Sequence, residues 1–62
     1  MKVLTFPSED FDKEELDKMS DTELYRLCNR HIYCELYNNE HEFQEAFNNG
    51  DVSDEWYIYF ID

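Results

Sequence analysis

The sequence predicts a small single α+β domain spanning residues 1–62, a three-stranded β-sheet with two to three short helices packed on one face in the order β-α-α-β-α-β. Three observations carry this expectation. Apolar runs with strand character lie near the start, in the middle and at the end of the chain. Three helix-capping signals fall between them, and eleven aromatic residues occur in a chain of 62. The aromatics matter because a mean hydropathy of -0.84 and a net charge of -11 would otherwise suit a disordered chain. Phe, Tyr and Trp each bury on the order of 150 to 250 Å² when packed, and they are scarce in disorder.

Lys2 to Phe6 alternates weakly between polar and apolar residues and ends at Pro7, which has no N–H for a ladder, so a short first strand is expected. Asp12 with Glu15 has capping-box spacing, and Phe11 with Leu16 has the spacing of a hydrophobic staple, which predicts a helix over residues 12–19. The same grammar recurs at Ser20 and Glu23, with Met19 and Leu24 as the staple. Leu24, Leu27, Cys28 and His31 then follow the i, i+3, i+4, i+7 spacing of a buried face, while Arg26, Asn29 and Arg30 point away. Residues 32–37 place Ile32, Cys34 and Leu36 on one side and Tyr33, Glu35 and Tyr37 on the other, the alternation of a half-buried strand.

Asn39 and Glu42 signal a third helix with the stripe Phe43, Ala46 and Phe47. Asn48, Asn49 and Gly50 end it, with Gly50 free to take a left-handed conformation. The final run from Trp56 to Ile61 is apolar throughout and rich in aromatic and β-branched residues, which predicts a strand. Because neither of its faces is polar, it is expected at the centre of the sheet. With helices on one face only, the other face is expected to carry Tyr33, Tyr37, Tyr57 and Tyr59 as a half-wet patch suited to an interface.

Sixteen acidic residues against five Lys and Arg bound the function more than any motif does. Direct binding to nucleic acid or to an anionic membrane is disfavoured by this field, whereas a basic protein surface would be steered toward it. No apolar stretch approaches a membrane span or a signal-peptide core, so a cytoplasmic protein with free thiols at Cys28 and Cys34 is expected.

Cys28, His31, Cys34 and His41 are residue types that can ligate zinc. Their spacing follows no zinc motif, and their expected elements point them apart, so no metal and no cofactor are expected. The stretch from Asp10 to Asp21 has the register of an EF-hand loop but carries Glu15 where the turn needs Gly, and Asp21 where a bidentate Glu belongs. One glycine allows no Gly-rich phosphate loop, and a chain this short rarely encloses the dry pocket that separates the pKa values of two carboxylates. No enzymatic activity is expected.

Seven carboxylates between Glu35 and Glu55 meet no Lys or Arg. Like charges one helical turn apart, such as Glu42 and Glu45, cost stability. Small size, strong acidity, many aromatics and no enzyme motif resemble, in composition over the whole chain, the protein mimics of DNA found among phage anti-restriction and anti-CRISPR inhibitors. The resemblance implies a non-enzymatic protein-binding module that engages a basic partner, in its sharpest form a nucleic-acid-binding protein. The expected contacts are Glu40, Glu42, Glu45, Asp51, Asp54 and Glu55 on one side, and Asp10, Asp12, Glu14 and Asp17 on the other. The alternative is a small accessory protein that forms a homodimer through its tyrosine face, its charge serving solubility.

Overall fold

Strand β1, Lys2–Phe6, lies at the centre of a three-stranded sheet of order β2-β1-β3. The computed structural model describes residues 1–62. The other elements are α1 (Lys13–Asp17), α2 (Asp21–Arg30), β2 (Glu35–Tyr37), α3 (Glu40–Asn48) and β3 (Tyr57–Ile61), so the α+β class and the element order are as expected. Both flanking strands run antiparallel to β1, with Leu4 opposite Leu36 on one side and Tyr59 on the other.

The capping grammar forms the helices, with changes of detail. Ser20 and Glu23 make a complete capping box. Asp12 caps α1 by accepting from the Glu14 N–H at 3.0 Å, one position short of a box. Asn39 accepts from the Glu42 N–H at 2.9 Å, and the Glu42 carboxylate reaches past the cap to the Asn38 N–H at 3.1 Å. At the far end of α3, Gly50 adopts φ +84°. The Gly50 N–H donates to Phe47 O at 3.1 Å and the Asp51 N–H to Ala46 O at 2.9 Å, a Schellman motif that satisfies the last carbonyls.

Three expectations are corrected. β3 is an edge strand, because the centre is held by β1, whose Val3, Leu4, Thr5 and Phe6 have no exposed surface. An edge strand covered on both faces is as apolar as a central one, so polarity alone does not distinguish them. β2 begins at Glu35, because residues 31–34 form a turn closed by the Cys34 N–H on His31 O at 3.1 Å, leaving Ile32 81% exposed.

The third correction concerns the faces. α1 and α2 do share one face, where Leu4, Phe6, Leu16, Leu24, Cys28, Cys34 and Ile61 form the larger core. Helix α3 takes the opposite face, over a smaller core of Val3, Phe43, Ala46 and Val52. The topology explains this. β2 and β3 are both antiparallel to β1 and therefore parallel to each other, so their connection must cross the sheet surface, and α1 and α2 already cover the first face. Thr5, on the α3 side of β1, is fully buried, and its hydroxyl donates to Glu35 O at 3.4 Å.

Candidate acidic and aromatic interface

Two-sided coverage divides the expected tyrosine patch. Tyr57 and Tyr59 pack on the α1–α2 side, Tyr37 packs on the α3 side, and Tyr33 projects from the 31–34 turn. The single open tyrosine face is therefore not formed. Burial raises the pKa of Tyr37 and of Tyr59 above the ordinary phenol value. Tyr59 is further tied down, its hydroxyl donating to Asp17 Oδ1 at 2.6 Å. Lys13 Nζ lies 3.3 Å from the same carboxylate oxygen and 5.2 Å from the Tyr59 ring centroid. The Tyr59 hydrogen bond, followed by Lys13, holds the Asp17 carboxyl below its usual range.

The zinc-type residues do not converge. Cys28 and Cys34 are buried thiols in the larger core, while His41 stands on the opposite layer with its Nε2 2.9 Å from Glu45 Oε1. His31 ends α2, and its Nδ1 accepts the Tyr33 N–H at 3.3 Å. Burial pushes the Cys28 thiol up to about 11 and the Cys34 thiol up to about 12. Thiols held protonated in this way are poor nucleophiles at neutral pH.

The expected acidic contacts fall into two layers. Glu40, Glu42 and Glu45 lie on α3, with Asp51, Asp54 and Glu55 in the connection that follows; Asp12, Glu14 and Asp17 belong to the start and body of α1, and Asp10 lies just before it. Four of the ten serve the fold itself: Asp12 and Glu42 at helix starts, Asp17 with Tyr59, and Glu45 with His41. The other six make no side-chain hydrogen bond or ion pair within the chain. The charge is polarised along the sequence. Eight carboxylates and no Lys or Arg follow residue 31, whereas residues 1–30 hold eight carboxylates and all five Lys and Arg. The helix α3 layer is built wholly from the uncompensated half.

One end of the sheet gathers these features. Three turns meet there, each closed by a backbone hydrogen bond from the fourth residue to the first: Asp10 to Pro7 at 3.1 Å, Cys34 to His31 at 3.1 Å, and Trp56 to Ser53 at 3.2 Å. Between them lies an open cleft of about 440 Å³ lined by Pro7, Glu9, Asp10, Tyr33 and Trp56. Asp10 is among the expected acidic contacts and Tyr33 among the expected interface tyrosines, whereas Pro7, Glu9 and Trp56 are additions from the structure. The available signal was the lone Trp immediately after Asp54 and Glu55.

The geometry defines a small acidic α+β domain with a split β-α-β unit around a central strand. No family model, no curated protein and no solved structure matches the chain. No helix is long and apolar enough to cross a membrane.

Proposed function

We propose that this domain is a non-enzymatic, cytoplasmic protein-binding module whose acidic surface engages a basic partner surface, and that the partner class is proteins that bind nucleic acid. The observation that supports this reading is the chain after residue 31: eight carboxylates without one Lys or Arg, all exposed and most of them unused by the fold. Repulsion among them opposes folding, and long-range attraction to a cationic surface offsets that cost in a complex. Carboxylates spread over a small rigid domain present to such a surface the same sign of charge as a phosphate backbone.

The test is capture of proteins on the immobilised domain at low and at moderate salt, followed by competition with duplex DNA. Expected are nucleic-acid-binding proteins that leave as salt rises and that DNA displaces. A captured protein insensitive to both salt and DNA would count against the reading. Replacing Glu40, Asp54 and Glu55 by their amides should weaken capture while sparing or raising stability.

A second reading, self-association of a small accessory protein, is favoured by one feature. The outer edge of β3 is unpaired, and the strand runs Tyr-Ile-Tyr-Phe-Ile without a charge or a proline, with Phe60 48% exposed. Sedimentation at high concentration separates the readings, because this one requires a dimer.

A further inference from the structure

We propose that the cleft among the three turns is a receptor for an arginine side chain carried by a basic partner segment; this rests on the reading of the domain as an acidic binding module and names the point of contact. The cleft combines the two chemistries that a guanidinium uses. Glu9 and Asp10 supply carboxylates, Tyr33 and Trp56 supply ring surface, and none of the five lining residues is cationic. A guanidinium is planar and weakly hydrated, forms forked hydrogen bonds to carboxylates and stacks on aromatic faces. At about 440 Å³ the cleft lies within the range of small-ligand sites.

The walls are held in place. Pro7 is buried, and it begins the turn whose closing bond sets Glu9 and Asp10 on one side. The N–H of Tyr33 is pinned by His31 Nδ1, and the His31 ring stands edge-on to Phe11 with centroids 4.7 Å apart. Trp56 is half-buried and packs against the smaller core. By contrast, Tyr33 is 62% exposed although its ring lies 5.8 Å from the His31 ring, and the exposed Glu9 and Asp10 carboxylates make no hydrogen bond or ion pair within the chain. A packed aromatic wall such as Trp56 loses little entropy on binding.

Trp56 is the only tryptophan in the chain and reports directly on occupancy. The experiment titrates the whole domain with a short peptide containing two arginines between glycines, with its citrulline counterpart, and with free arginine amide, at low salt. Expected is a saturable change in Trp56 emission with the arginine peptide and none with citrulline. Binding should weaken on the order of tenfold in Glu9→Gln with Asp10→Asn, and comparably in Tyr33→Ala. Unchanged Trp56 emission with binding that Glu40→Gln and Asp51→Asn weaken equally would overturn the cleft and leave the acidic module standing. Free arginine amide binding as tightly as the peptide would overturn a partner segment as the occupant. No binding of any cationic peptide would overturn both readings.

Discussion

The two faces of the sheet divide the work of the molecule unequally. The α1–α2 face has seven buried core residues, two helices and every Lys and Arg; the α3 face has four buried core residues, one helix and no Lys or Arg. A small domain has little surplus stability, and burial on the first face supplies most of it. The thinner face holds its own charge apart on a helix capped at both ends. What the contrast teaches is that uncompensated charge is tolerated where a separate, better-packed core already fixes the fold.

Truncating one aromatic on each face tests that division most severely. Phe6 is fully buried, with edge-on contacts to Phe11 at 5.2 Å and Tyr59 at 5.8 Å; Phe43 sits against Tyr37 at 5.9 Å and Phe60 at 6.4 Å. Phe→Ala costs about 3–5 kcal/mol in a core, against a total stability of roughly 0.05–0.15 kcal/mol per residue. Phe6→Ala is expected to abolish the cooperative urea transition, whereas Phe43→Ala should keep a weakened one. The reverse result would mean that the thin face anchors the fold.

The larger core should also carry most of the domain's sensitivity to alkali. Cys28 and Cys34 have folded pKa values of about 11 and about 12, above the ordinary 9.0, so the folded state holds their protons more tightly. Their contribution is complete below pH 9 and is lost as pH rises through those values. Tyr37 and Tyr59 act in the same direction. Urea midpoints measured upward from pH 8 should fall steeply, and the double variant Cys28→Ala with Cys34→Ala should show a shallower fall from a lower start. An equal slope in both proteins would remove the thiols from the account.

How far the sequence was legible follows the range of each signal. The caps at Asp12, Ser20 and Asn39 and the stop at Gly50 were readable because each is decided within five or six residues. The centre of the sheet was not, because Thr5 reads as polar although its hydroxyl is satisfied by Glu35 O inside the fold. Ile32 and Tyr33 fit a strand alternation, yet the chain leaving α2 spends them on the reversal toward β2. The cleft was least legible of all: its walls come from residues 7–10, 33 and 56, joined only by the sheet, and the acidic composition marked Asp10 without marking Glu9 or Trp56.

A smaller effect probes the thin face alone. An alanine Cβ at Gly50 would meet nothing within 4 Å, so Gly50→Ala adds no clash and charges only the left-handed backbone at φ +84°. The expected loss is about 1–2 kcal/mol, with Gly50→Asn losing less. A loss as large as that of Phe43→Ala would show that the Schellman turn, more than the side-chain core beneath it, holds α3 in place.

The smallest expected effect lies on the thick face, at the exposed clamp between α1 and β3. Tyr59→Phe removes the 2.6 Å hydrogen bond to Asp17 and leaves the ring against Phe6. Because that bond lowers the Asp17 pKa from 3.8, its contribution is present above that value and disappears as pH falls through the lower folded one. At the other end the Tyr59 hydroxyl is raised above 10.0, so its contribution fades as pH climbs past that value, and the phenylalanine variant has no such proton to lose. The difference in urea midpoint between the two proteins should therefore be flat between about pH 4 and pH 10 and close at both ends. A difference independent of pH would mean that the hydroxyl acts through hydration and packing, and that α1 is held on its face by Leu16 and the neighbouring apolar contacts alone.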